Sequence, residues 1–317
     1  MTETVTKNEF YFPSTNGVNQ VHCIEWLPAD KAPCAVVQIA HGVAEYVDRY
    51  DEFARFLVSN GYAVVGNDHL GHGLTVADES ELVWFGAKES WMTVVADMKT
   101  LRDLYGERHP GLPYYLLGHS MGSFLSRSFI IRYPDALDGV MLSGTGQHDG
   151  ITCFAGKTLA EREIRRHGSK YRSAALQKLA FGSYLKKIKN PTGPNDWLTR
   201  DAALVAAYDA DPLCGGTATA GLMRDLMAGL DFIRRPSNLE KMKKTMPVLF
   251  FSGADDPVGG WSRGVKQAAA SFLKAGMKDV TLRLYDGGRH EILNETNKQE
   301  VYADVLGWLN ERVLRKS

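Results

Sequence analysis

A serine between two glycines is the pattern in this chain with the clearest chemical potential. Ser120 lies within Gly118–Gly122 (Gly-His-Ser-Met-Gly), after the apolar run 114–117 and before a helical pattern over 121–133. Such a sequence between a strand and a helix is typical of a sharp turn that exposes the serine hydroxyl, and the glycines avoid side-chain clashes in that turn. The amide of Met121 would then lie beside the hydroxyl, where an anionic intermediate needs donors. The pattern predicts a nucleophile.

The bare pattern also arises by chance. With glycine at roughly 7% of residues and serine about as frequent, a chain of this length contains it by accident about once in ten. Residues elsewhere in the chain must therefore decide between a nucleophile and an ordinary Gly-Ser-Gly turn.

A candidate base follows a later strand. A serine hydroxyl is a weak nucleophile until a base takes its proton, and a third group must hold that base in the right tautomer. In a parallel sheet these partners come from loops at the carboxyl ends of strands. His290 comes after the predicted strand 280–285 and is the only histidine beyond His167. We therefore predict that His290 is the base.

Two adjacent acids follow the predicted strand 247–253. Asp256 is favoured as the third group because Pro257 restricts the backbone of the residue before it. Asp255 remains the alternative; if Asp256 is the third group, Asp255 is expected to be a turn or helix-end residue. The order serine, aspartate, histidine along the chain is that of known serine triads on an open parallel sheet.

A second donor to an oxyanion is expected from the loop after the strand 34–40. Gly42 allows the backbone to approach closely, and the amide of Val43 would join that of Met121. Four histidines beside glycines are expected to hold loop backbone rather than to act as bases: His41, His69, His72 and His119. No third ligand accompanies His69 and His72, so no metal site is predicted.

Strands and helices alternate along most of the chain. A hairpin over 8–27 is followed by strand, helix, strand, helix, strand, helix and strand up to residue 143, which favours a parallel sheet with right-handed crossovers. No strand is predicted over 147–235, and the alternation resumes at 247. The domain prediction is a core of residues 1–147 and 236–317, interrupted by a helical cap of residues 148–235, which we call the cap segment.

Composition narrows the classes of function. Lysine plus arginine and aspartate plus glutamate both number 37, so the formal net charge is zero and nothing favours nucleic acid. No apolar run is long enough for a spanning helix, and the polar start of the chain does not resemble a secretory leader. Four scattered cysteines favour reduced thiols and a cytoplasmic location.

These motifs together resemble the α/β-hydrolase superfamily, and within it the monoglyceride lipase and lysophospholipase-like serine hydrolases. The matching residues lie in five places: His41–Glu45 with Arg49-Tyr50, Asn67–Gly73, Gly118–Gly122, Asp256–Val258 after Gly253, and His290-Glu291. The resemblance implies a doubly wound, mostly parallel α/β sheet and no cofactor. It also implies Ser120, Asp256 and His290 as catalytic residues, with oxyanion amides at Val43 and Met121. Ser123 stands where the family often has glycine.

The cap segment gives weaker signals. Its apolar stripe consists of Leu222, Met223, Leu226, Met227 and Leu230. The stripe could line an acyl pocket, but docking of a helix onto the core is the favoured interpretation. Residues 156–190 carry ten basic and two acidic side chains, a net charge of +8. A solvated helix face is the ordinary explanation. The sharper hypothesis is a basic rim that makes peripheral contact with anionic lipid aggregates.

The favoured function is a serine carboxylic-ester hydrolase. Its substrate would be monoacylglycerol, lysophospholipid or a similar small acyl ester, cleaved through an acyl-enzyme intermediate. Amide or peptide cleavage and acyl transfer on the same fold are the alternatives. Epoxide and haloalkane hydrolases are disfavoured because they require aspartate at position 120. A non-catalytic binding protein is also disfavoured, since it has no need of the complete set of residues.

Overall fold

A computed structural model of the chain describes residues 5–314, within which eight strands and ten helices follow one another. The strands are β1 (Val5–Pro13), β2 (Gln20–Pro28), β3 (Ala35–Ala40), β4 (Tyr62–Asn67), β5 (Tyr114–His119), β6 (Gly139–Ser143), β7 (Val248–Gly253) and β8 (Val280–Tyr285). The helices are α1 (Asp51–Ser59), α2 (Trp91–Arg108), α3 (Met121–Arg132), α4 (Gly150–His167), α5 (Ala174–Phe181), α6 (Ala202–Ala210), α7 (Ala220–Arg234), α8 (Pro236–Leu239), α9 (Arg263–Lys274) and α10 (Lys298–Leu314).

All eight strands belong to one sheet, in the order β1-β2-β4-β3-β5-β6-β7-β8. The β1-β2 hairpin is antiparallel and joins β4 in antiparallel fashion, whereas every pair from β4 to β8 is parallel. The mostly parallel α/β sheet predicted from the sequence is confirmed.

Both faces of the sheet are covered, which explains the nearly continuous apolar runs of its central strands. Every residue of β3 to β7 is buried. Neighbouring residues of one strand belong to different cores. Val36 lies in the core to which α2, α3 and α9 contribute, and Val37 lies in the core to which α1 and α10 contribute. The sheet is therefore rigid at its centre, where β5 ends in Ser120.

Helices α4 to α8 occupy the chain between β6 and β7. Helix α7 packs on α4 and on α3, and Leu222, Met223 and Leu230 are buried in the core that α3 shares. The apolar stripe of α7 thus docks a helix onto the core, as favoured from the sequence. The first helix of the cap segment begins at Gly150, where the Asp149 side chain caps α4 by accepting from the amide of Thr152 at 2.8 Å.

No helix between residues 5 and 314 combines the length and the apolar character that crossing a bilayer requires. The first four and last three residues lie outside the described range, as does part of the N-terminal stretch on which the prediction of no secretory leader rests.

Candidate active site

Ser120 adopts the backbone conformation that the glycine pattern predicts. It joins β5 to α3 with φ 52° and ψ −120°, a backbone conformation that residues other than glycine rarely adopt. Its amide donates to the Ser143 carbonyl at 2.9 Å. A Cβ at Gly118 would collide with Ser126, and one at Gly122 would collide with the Ala40 carbonyl. Both glycines are therefore required by close packing around the turn.

His290 and Asp256 form a buried pair. The His290 Nδ1 lies 3.0 Å from the Asp256 Oδ1, and the same oxygen accepts the amide of Val258 at 2.8 Å. The other carboxylate oxygen of Asp256 accepts from the Ser252 hydroxyl at 3.2 Å. Asp255, by contrast, is exposed, and its amide donates to Gly288. The structure thus brings Asp256, not Asp255, to the imidazole.

The electrostatics of this pair favour a basic imidazole. Burial disfavours the charged ring and lowers the pKa of His290, but the Asp256 carboxylate, with smaller contributions from Glu291 and Glu45, outweighs it. The net result is a pKa above the usual range for histidine. With Nδ1 turned to Asp256, the Nε2 is left to exchange a proton with a nucleophile or leaving group.

The loop 41–46 is held from three sides. The Gly42 amide donates to the Glu45 Oε1 at 2.5 Å, and the His41 Nδ1 bonds the Gly42 carbonyl at 2.7 Å. The His69 amide donates to the His41 Nε2 at 2.9 Å, so the ring is neutral with its hydrogen on Nδ1. Burial lowers the pKa of His41, in keeping with that state. His41 thus holds loop backbone, as expected.

The amides of Val43 and Met121 are free to serve a ligand. Val43 lines the same cavity as Ser120, and Met121 is the first residue of α3. Across residues 5–314, neither amide donates to another backbone or side-chain group. Two free donors beside one hydroxyl form the arrangement that an oxyanion requires.

The remaining histidines of the sequence analysis do not form a metal site. His72 bonds the Leu70 carbonyl at 2.9 Å, and His119 contacts the Ser143 hydroxyl at 3.2 Å. Burial lowers the pKa of His72 to about 3 and that of His119 to about 4, so both rings stay neutral. No group of three metal-ligating side chains occurs within the described part of the chain.

Arg49 connects the loop 41–46 to the loop that carries His290. Its Nη1 lies 2.5 Å from the Glu45 Oε2 and 2.7 Å from the Glu291 Oε1, and its Nη2 lies 2.8 Å from the Glu291 Oε2. Burial opposes ionisation, but the charge and hydrogen bonds of Arg49 lower the pKa of Glu291 to about 2. Both carboxylates thereby contact one guanidinium. We refer to Arg49, Glu45 and Glu291 as the arginine clamp.

The cap segment also contacts these loops. The Tyr208 hydroxyl of α6 donates to the Ala44 carbonyl at 3.0 Å, and its ring lies 4.8 Å from the Arg49 guanidinium carbon. The Gly215 amide donates to the same carbonyl at 3.0 Å. The Trp197 ring stacks 5.0 Å from His290, and the Trp197 carbonyl accepts the His290 amide at 3.3 Å. Tyr208 and Trp197 were not predicted from the sequence, because isolated aromatic residues carry no motif.

A cavity of about 470 Å³ joins these parts. Its polar lining is Glu45, His119, Ser120, Gln177, Lys178, Asn195, Tyr208, His290 and Glu291. Its apolar lining comes from the loop 41–46 and from the cap segment: Val43, Ala44, Ala174, Phe181, Leu185, Pro194, Trp197, Leu198 and Ala218. Ser120 and His290 thus open into one chamber that is lined by both apolar and polar side chains, which suits an amphiphilic ester.

Known proteins with similar sequences and structures are hydrolases. The family model described as Serine aminopeptidase, S33, matches residues 31–297. The chain is 32% identical to a monoacylglycerol lipase of Mycolicibacterium smegmatis, over 96% of this chain and 97% of the relative. It is 27% identical to the monoglyceride lipase of Homo sapiens, over 92% and 86%.

The fold agrees with a solved enzyme. A thermostable carboxyl esterase from Bacillus coagulans, crystallised in complex with glycerol, superposes with a TM-score of 0.90 at 28% identity, covering 98% of this chain and all of the esterase. The resemblance to the α/β-hydrolases and the expectation of an enzyme are confirmed. The chain is a serine hydrolase of the α/β-hydrolase fold and belongs to the family described as Serine aminopeptidase, S33.

Proposed function

We propose that this hydrolase cleaves the carboxylic ester of monoacylglycerol, lysophospholipid or a similar small acyl ester, with Ser120, His290 and Asp256 as its catalytic residues. The observation that carries the proposal is the joint placement of Ser120 and the His290–Asp256 pair on one amphiphilic cavity. The two free amides of Val43 and Met121 supply the oxyanion donors that the reaction requires.

The proposed mechanism uses only groups of this chain and water. Ser120 Oγ attacks the ester carbonyl while His290 Nε2 takes its proton, and the amides of Val43 and Met121 bind the oxygen that becomes negative. His290 then donates that proton to the departing alcohol, which leaves an acyl group on Ser120. Water, deprotonated by His290, attacks the acyl-enzyme carbonyl, and His290 returns this proton to Ser120 Oγ as the bond to Ser120 breaks and the carboxylic acid is released. Asp256 keeps the hydrogen of His290 on Nδ1 and stabilises the imidazolium.

The cavity favours an ester of a fatty acid over an amide of an amino acid. The acyl group of an ester lipid can lie on the apolar lining from α5 and from 185–198. An aminopeptidase must instead bind a free amino group on the acyl side of the scissile bond, and a carboxylate dedicated to that group binds it best. Glu45 and Glu291, the carboxylates in the lining, both contact Arg49. Amide cleavage, which the family description names, is the second candidate.

A substrate panel tests this choice. We expect kcat/KM for monoacylglycerols and p-nitrophenyl acyl esters to exceed that for alanine and proline p-nitroanilides by at least about 100-fold, because the apolar lining binds the acyl chain. Lysophospholipids belong in the same panel. An anilide hydrolysed faster than every ester would replace the proposed function by peptidase activity.

We also propose the division into a core of residues 1–147 and 236–317 and a cap of residues 148–235. The succession of α4 to α8 between β6 and β7, with no strand among them, supports this division. The cytoplasmic location stays a prediction. It is supported by the four cysteines, none of which is in a disulfide.

Contact of the cap segment with anionic lipid is supported by the outer face of α4. Ile151 and Phe154 are 83% and 75% exposed near its start, and Arg162, Arg165 and Arg166 are exposed toward its end. Other basic residues of the segment are occupied in tethering it to the core. Lys157, for example, pairs with Glu89, and Arg172 donates to the Leu82 carbonyl. An apolar and basic face of this kind suits an anionic membrane surface.

Salt dependence tests the surface contact. Raising the salt concentration from about 0.05 M to about 0.5 M should lower hydrolysis of monoacylglycerol in anionic vesicles severalfold, because it screens the exposed arginines. Hydrolysis of a small soluble neutral ester should change little over the same range. Equal salt sensitivity of the two substrates would contradict a role for the basic face.

A further inference from the structure

The two carboxylates of the arginine clamp place unbalanced negative charge in the lining of the cavity. Two carboxylates, Glu45 and Glu291, line the chamber and share one guanidinium. The ordinary surface ion pair matches one acid with one base, and water screens any excess. Here all three side chains are largely withdrawn from water, with 5%, 5% and 13% of the side chain exposed for Glu45, Glu291 and Arg49. The clamp therefore carries a net charge of −1 in a poorly screened position.

Other ionisable groups around the chamber do not cancel this charge near the reacting atoms. His119 is neutral at physiological pH, and Asp256 adds a further carboxylate behind His290. The remaining cation in the lining is Lys178, whose side chain is exposed to solvent on α5. The chamber therefore has an acidic interior and a basic residue at its solvent-exposed part.

The alcohol part of a substrate must lie near His290, in the cavity that Glu45 and Glu291 also line. Its ester oxygen has to lie within hydrogen-bond reach of the His290 Nε2, which returns the proton at departure. Glu291 directly follows His290, and the Glu291 amide is fixed to the Leu198 carbonyl at 2.7 Å. Glu45 lines the same cavity from the loop 41–46, and its Oε1 accepts from the Tyr50 hydroxyl at 2.9 Å. Whatever is attached to the alcohol thus lies near two acids.

We propose that Glu291, together with Glu45, makes this hydrolase selective against esters whose alcohol part carries a negative charge. Neutral polyol and cationic head groups are accepted, and phosphate- or carboxylate-bearing head groups are rejected. This inference rests on the proposed ester hydrolysis and narrows its substrate class: it favours monoacylglycerol and disfavours the lysophospholipids of the proposed range, whose head groups carry a phosphate. Hydroxyl groups of a neutral alcohol can also donate to these carboxylates, whereas an anionic group meets repulsion that water does not screen.

Two pairs of isosteric substrates separate charge from shape. The first pair is the same short acyl chain esterified to glycolamide, which is neutral, and to glycolate, which is anionic. The second pair is the 3,3-dimethylbutyl ester, which is neutral, and the choline ester, which is cationic. For the wild-type enzyme we expect kcat/KM to be at least about tenfold higher for the glycolamide ester than for the glycolate ester, and no loss for the choline ester.

A variant assigns the effect to the clamp. Glu291→Gln leaves Glu45 and Arg49 as a balanced pair, so the glycolamide-to-glycolate ratio should fall about fivefold or more. Glu240→Gln removes the same charge from an exposed position outside the cavity and should leave the ratio unchanged. Comparing ratios removes any general loss of turnover that Glu291→Gln causes by loosening the loop of His290.

The ratios measured on the wild-type enzyme test the proposal even if the Glu291→Gln variant does not fold. A wild-type ratio near one for glycolamide and glycolate overturns the proposal. So does an equal penalty for the choline ester and the glycolate ester, which would indicate simple desolvation of any charge. A ratio for Glu291→Gln equal to that of Glu240→Gln overturns the assignment to Glu291. Failure to hydrolyse any of the four esters would instead contradict the proposed function.

Discussion

Replacing Ser120 by alanine is expected to reduce ester hydrolysis by a factor on the order of 10⁴–10⁶. The loss is large because, among residues 5–314, Ser120 is the only serine, threonine or cysteine in the lining of the cavity that contains His290, and residual turnover would depend on oxyanion donors and binding alone. The same variant should lose covalent labelling by a fluorophosphonate, which reacts with an activated serine. Initial rates with a p-nitrophenyl ester and labelling followed by intact mass provide the measurements.

A serine one turn further along α3 gives the matched control. Ser123 is buried, and its hydroxyl donates to the Ser120 carbonyl at 2.6 Å, but it does not line the cavity. Ser123→Ala should keep labelling and retain turnover within about tenfold of the wild type, since only one neutral hydrogen bond is removed. Well-folded Ser120→Ala protein that still turned over ester at the wild-type rate would remove Ser120 from the mechanism.

The second large effect concerns the two adjacent acids. Asp256→Asn should lower kcat by about 10³–10⁴-fold, because an amide in place of the carboxylate no longer stabilises the imidazolium or selects the Nδ1-protonated tautomer. Asp255→Asn should stay within about threefold of the wild type, because that side chain is exposed and has no contact with His290. Steady-state kinetics on both variants, with circular dichroism to verify folding, measure the difference.

The pair of variants has a clear opposite outcome. If Asp255→Asn lost turnover while Asp256→Asn retained it, the assignment of the acid would be wrong despite the geometry. Both variants replace one aspartate by asparagine at adjacent positions, so they have the same composition and the same net charge.

The central sheet and the turn at Ser120 were predictable because local chemistry determines them. Buried parallel strands require continuous apolar runs, and a strained turn requires glycine at positions 118 and 122 whatever surrounds it. Pro257 in the same way favours Asp256 over Asp255, because a proline restricts the backbone of the residue before it. These signals lie within a few residues of the groups that they position, so the sequence displays them directly.

The arginine clamp and the cap contacts were not predictable in this way. Arg49 and Glu291 are far apart in the chain, and the motif residues gave no reason for one guanidinium to bind two carboxylates. Tyr208 meets Ala44 only because α6 crosses the loop 41–46, and no periodicity encodes that crossing. Contacts of this kind depend on how separate helices pack, which the sequence of either partner alone does not specify.

The hydrogen bonds from Tyr208 and Gly215 to the Ala44 carbonyl have a consequence for how this enzyme can change. The residues that shape the substrate chamber also support the loop that would hold the developing oxyanion, and the Trp197 carbonyl supports the loop of His290. Substrate selection and the rate of ester hydrolysis thus depend on the same residues. A substitution of Tyr208 that widens the chamber also removes the hydrogen bond to the Ala44 carbonyl and will alter turnover for every ester. New substrate ranges are therefore most accessible through lining residues such as Leu185, which the described contacts do not tie to either loop.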